Sequence, residues 1–108
     1  MNTNDKSNKN TFGEITNPII LDFTERETLG EIHHILKENF GFPEYYGENW
    51  DALWDCLDGL FLDRGDYTVQ IYGFETLEDR LRNECITMLE IFDEIHAHYP
   101  NVSFEMII

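Results

Sequence analysis

The stretch PEYYGENWDALWDCL, Pro43 to Leu57, passes from a loop into a helix within a few residues. Pro43 to Glu48 reads as the loop, with Gly47 allowing a tight turn. Asn49 is a good N-cap, and Asp51 falls in the first helical turn, where the helix dipole favours negative charge. The helix is expected to run to about Leu60, with Gly59 and the polar residues Asp63 to Asp66 marking its end. On a wheel of about 100° per residue, Trp50, Leu53, Leu57, Leu60 and Phe61 share one side. Asp51, Asp55 and Asp58 share the opposite side, and Trp54 lies at the boundary beside them.

Outward from this helix the chain alternates strands and helices. Asn17 to Phe23 (NPIILDF) is a short apolar run after a proline and reads as a buried strand. A helix then opens at Thr24 or Glu25. Leu29, Ile32, Ile35, Leu36 and Phe40 recur at helical spacing, and Gly41 with Pro43 stops that helix. Tyr67 to Tyr72 (YTVQIY) alternates, is rich in β-formers and ends at Gly73. Thr76 to Asn83 reads as a short helix, Glu84 to His98 as a longer one closed by Pro100, and Val102 to Ile108 as the last strand. Strands separated by helices favour parallel pairing through crossovers. The expected fold is a three-stranded parallel α/β sheet covered by about four helices, in one domain over residues 17–108. Residues 1–16 lack an apolar period and read as a flexible polar tail.

A chain of 108 residues with 42% hydrophobic content suits one compact core. The charge is its most extreme property: 22 acidic against 7 basic residues, a net of -15. Such a field repels nucleic acid and anionic lipid and favours a basic protein partner. No leader-like apolar run and no membrane-length segment occurs, so a cytoplasmic protein is expected. In that compartment Cys56 and Cys85 are expected as buried, reduced thiols.

Carboxylates on a solvated helix normally alternate with Lys or Arg, yet none occurs between Lys37 and Arg64. The stripe of Asp51, Asp55 and Asp58 is uncompensated within its own segment. An array of carboxylates can meet arginines bidentately and take the places where a nucleic-acid enzyme expects phosphates. Tyr45, Tyr46 and Trp54 have two readings: core packing, or the aromatic frame of an interface. Paired carboxylates can also serve acid–base catalysis, but these share one convex helix face without a nucleophile or phosphate loop, so an enzyme is not expected. A regular helix does not wrap a calcium ion, and His33, His34, His96 and His98 offer no i, i+4 ligand pair; no metal or cofactor is expected. The histidines are expected at the surface or internally satisfied.

These same residues, Pro43 to Leu57, closely resemble the binding loop and second helix of the barstar family. The order of elements fits as well, as do Phe92 to Ala97 and the final strand. The resemblance implies an intracellular inhibitor that plugs the active site of a barnase-type extracellular ribonuclease and is a monomer when free. Carried over by position, Tyr45 would pack on the enzyme's catalytic histidine, and Asn49 and Asp51 would contact its rim. Trp54 would make apolar contact and Asp55 would enter the phosphate-binding site. Glu94 would add a flanking charge, and Gly47, Asp58 and Gly59 complete the contact set. The chain departs from the family pattern at Asp58, which replaces a small hydroxyl residue, and at Leu60, which replaces a tryptophan framing the site. The family's proline before the second strand is absent, and Pro100 replaces a cysteine. The N-terminal extension has no counterpart. Alternatives within the binding class are an immunity protein for a different toxin nuclease and a binder of a basic protein that is not a nuclease.

Overall fold

A computed structural model of the chain describes residues 12–108. In chain order the elements are β1 (Ile19–Asp22), α1 (Leu29–Phe40), α2 (Trp50–Phe61), β2 (Tyr67–Tyr72), a 3-10 turn (Phe74–Thr76), α3 (Asp79–Glu84), α4 (Ile86–His98) and β3 (Val102–Ile107). The strands form one parallel sheet in the order β1-β2-β3. Register sets Ile19 beside Val69 and Val69 beside Phe104, so one face of the sheet carries a continuous apolar row. Ile19, Leu21, Val69 and Ile71 on that face are buried. Helix α1 packs on β1, α4 on β3, and α2 on α4. This is the expected three-stranded parallel architecture with four helices.

Local chemistry places the ends of α1. Thr28 caps it: its hydroxyl accepts from the Glu31 N–H at 3.1 Å, while the Glu31 carboxylate accepts from the backbone N–H groups of Thr28 and Glu27. The helix therefore starts at Leu29, later than the Thr24 or Glu25 read from sequence. Thr24 is engaged elsewhere, donating both its N–H and its hydroxyl to Asp22 Oδ1. Gly41 ends α1 in the left-handed region at φ 65°.

The polar tail expected over residues 1–16 lies outside the described residues as far as residue 11. Over its described end, Phe12 and Ile15 pack against the core, and the Gly13 N–H donates to the Gly41 carbonyl at 2.8 Å. A Cβ on Gly41 would stand 2.9 Å from the Gly13 carbonyl oxygen, so the two backbones meet only because that side chain is missing. Cys56 and Cys85 are buried and unpaired.

His33 on α1 is only 2% exposed. Its Nδ1 is 2.7 Å from the Tyr46 hydroxyl, and its ring centroid is 4.7 Å from that of Trp50. Among the described residues its Nε2 has no hydrogen-bond partner; the sequence reading expected a histidine at the surface or internally satisfied, and His33 is neither. Burial pushes the imidazole below its ordinary pKa, with Glu48 opposing. A histidine kept neutral in the folded state stabilises it fully above about pH 6.5, the unfolded value, and loses that contribution as pH falls through the lowered folded value. In urea unfolding at pH 7.5 and 5.5, the wild type is expected to lose stability on acidification, and His33→Gln to lose less.

Candidate functional site

The loop before α2 is held at three points. The Tyr46 N–H donates to the Pro43 carbonyl at 3.0 Å, which closes a turn. Asn49 accepts from the Ala52 N–H at 2.8 Å through Oδ1, and its Nδ2 reaches back to the Gly47 carbonyl at 3.4 Å. The third point is the bond of Tyr46 to His33. These constraints divide the tyrosine pair: Tyr46 is 6% exposed and belongs to the core, whereas Tyr45 is 60% exposed. The left-handed residue of the turn is Glu48, at φ 54°, and not Gly47. Gly47 matters for space, since a Cβ there would meet Asn49 Nδ2 at 3.3 Å.

Helix α2 buries Leu53, Leu57, Leu60 and Phe61 and turns Asp51 and Asp55 to solvent. Gly59 lies inside this helix and does not end it; Phe61 is its last residue. Asp58 is half-buried and already engaged, because the Tyr99 hydroxyl donates to its Oδ1 at 2.6 Å. That carboxylate in turn raises the Tyr99 pKa by holding its proton. Trp54 at the boundary of the stripe donates its indole N–H to Glu94 Oε1 on α4 at 2.7 Å. The His98 and Trp54 rings meet nearly perpendicular at a centroid distance of 5.8 Å. Two polar ties, Trp54 to Glu94 and Tyr99 to Asp58, therefore lace α4 to α2.

Together, these contacts bring Asp51, Trp54, Asp55, Asp58 and Glu94 onto one surface, with Asn49, Gly47 and Tyr45 at its N-terminal end and Gly59 at the other. Leu60, where the resemblance has a framing tryptophan, is 1% exposed and points into the core. Among the described residues the ion pairs are Lys37 with Glu44 and Arg82 with Asp79, so the carboxylates of the stripe have no salt-bridge partner there. Neither α2 nor α4 contains a Lys or Arg. No three His, Cys, Asp or Glu side chains among the described residues come together in a way that could hold a metal ion.

Sequence reasoning placed Glu94 at this surface only through the resemblance and gave no hint of the Tyr99 contact. Both ties join residues about forty positions apart, at sequence separations of 40 and 41, and nothing in local spacing announces them. If the indole bond fixes the Glu94 carboxylate, Trp54→Phe and Glu94→Gln should be coupled by about 0.5–1 kcal/mol in a double-mutant cycle of urea unfolding. Simple additivity would mean that the two side chains ignore each other.

Residues 16–108 match the sequence pattern of the family described as Barstar (barnase inhibitor). Over 90 residues the chain is 36% identical to a Bacillus subtilis (strain 168) protein named "Putative ribonuclease inhibitor YrdF", an alignment covering 83% of this chain and 96% of that protein. The family pattern spans all three strands and four helices, as well as the loop and helix that carry the acidic stripe. This chain is a member of the barstar family.

Proposed function

We propose that the protein is a non-catalytic inhibitor of a barnase-type ribonuclease, seating Asp55 in the enzyme's phosphate-binding site and covering the rest of its active site with the loop and the α2–α4 face. The observation that carries this reading is the pair of exposed carboxylates, Asp51 and Asp55, on a convex helix flanked by exposed Tyr45 and free of Lys and Arg. A ribonuclease binds a polyanion, so its active site is a concave cationic surface. A convex anionic surface complements it in both shape and sign.

Each side chain then has a task that follows from its surroundings. Asp55, exposed and without an ion-pair partner among the described residues, can meet arginine; barnase and barstar are the reference pair from which its dominance is inherited. Asp51 and Asn49 contact the rim, Tyr45 packs on the catalytic histidine, and Trp54 contributes apolar area while holding Glu94 as a flanking charge. Asp58 is bound by Tyr99 and so acts mainly as field and support. The helix and loop are tied in place before binding, which lowers the ordering cost of association. In this reading the protein works in the cytoplasm and is monomeric until it meets the enzyme.

A different toxin nuclease is the second reading. What favours it is Leu60: its burial leaves no aromatic ring where the family pattern frames the site, so the partner surface at that point differs in shape.

Titration of a purified barnase-type ribonuclease with this protein, at low and at physiological salt, tests the proposal. The expected result is stoichiometric inhibition that weakens with salt and falls by at least about a hundredfold in Asp55→Ala. Full ribonuclease activity in a large excess of the protein would refute the ribonuclease assignment and leave the basic partner to be another protein.

A further inference from the structure

Phe12 occupies an unusual position for a residue near the chain start. Its ring lies over Gly59, with Cζ and Cε2 3.5 and 3.7 Å from the point where a Cβ would stand. The ring also meets Phe42 edge-on at a centroid distance of 6.4 Å. Behind it, the Gly13 N–H to Gly41 carbonyl bond fastens the segment to the end of α1. Phe12 thus bridges the base of the binding loop and the second half of α2, and it stays half-buried.

Gly59 stands one helical turn beyond Asp55 on the acidic side, about 6 Å along the axis. A protein interface of ordinary size covers about 800 Å² on each partner, a disc of about 16 Å radius. Centred on Asp55, that footprint takes in Gly59 and the ring above it. Phe12 also precedes residue 16, where the match to the family pattern begins. Phe12 is half-buried and lies at the margin of the core, against Phe42, while the Gly13 backbone bond and Ile15 anchor the chain behind it.

We propose that Phe12 is an intramolecular occupant of the partner-binding face: its ring packs against the still exposed Gly59 in the free protein and is displaced when the ribonuclease binds. The inference rests on the ribonuclease reading for its partner. The docked ring lowers the affinity by the fraction of molecules in which it is seated, and it discriminates against enzymes whose rim offers nothing to replace it.

The test uses the full chain and a barnase-type ribonuclease. Nuclear Overhauser contacts between the Phe12 ring and the Gly59 α-protons are expected in the free protein and should vanish at saturation with the enzyme. Phe12→Ala should inhibit the enzyme about tenfold more tightly than the wild type. Absence of those contacts in the free protein, their persistence in the complex, or equal or weaker inhibition by Phe12→Ala would overturn this inference alone, since inhibition by the wild type would still stand. No inhibition by either protein would overturn the ribonuclease reading and this inference with it.

Discussion

Burial of Leu53, Leu57, Leu60 and Phe61, none more than 1% exposed, sets the rotation of α2 about its own axis. Because the helix period is fixed, that rotation also decides where Asp51, Asp55 and Asp58 point. The energies are unequal: each fully buried large apolar side chain contributes about 1.5–3 kcal/mol, whereas each like-charge pair on a helix costs only a few tenths. The apolar face wins, and the repulsion is carried as a modest penalty. A stripe of carboxylates without cations of its own is therefore stable as part of the fold, and it remains available to cations from elsewhere.

The surrounding contacts refine this arrangement and do not create it. Asn49 fixes the helix start and ties it to the loop, and the bond of Tyr46 to His33 draws the loop onto α1, leaving Tyr45 outside. Trp54 and Tyr99 join α4 to α2 through carboxylates, so one acid of the stripe and one of the neighbouring helix are positioned, while Asp51 and Asp55 face solvent. A surface whose anchors are exposed and whose supports are internally bonded loses little entropy when a rigid partner docks. In the proposed complex its attraction would weaken with salt, since it depends on unscreened charge.

Much of this was legible in sequence where the signal is local. Asn49 announced the start of α2, the alternation of Tyr67 to Tyr72 gave β2, and the wheel separated the carboxylates from the core. Local signals misled where a side chain had a competing use. Thr24 resembles a helix start but bonds Asp22 in a turn, and Gly59 looks like a helix stop but sits inside the helix beneath Phe12. Adjacent tyrosines are equivalent in composition, and packing tells them apart: Tyr46 meets His33 on α1 and the Phe42 ring, and Tyr45 stays exposed. The ties from α4 and the docking of Phe12 depend on chain packing over long separations, for which a single sequence carries no periodic trace.

In the proposed complex the partner sits on the loop and the α2–α4 face and leaves the sheet uncovered. Amide hydrogen exchange of the protein, free and saturated with a barnase-type ribonuclease, measures that footprint directly. Added protection is expected over residues 44–59 and around Glu94, with little change along the outer face of β1, β2 and β3. Protection concentrated on the sheet, with the loop and α2 exchanging as in the free protein, would contradict it.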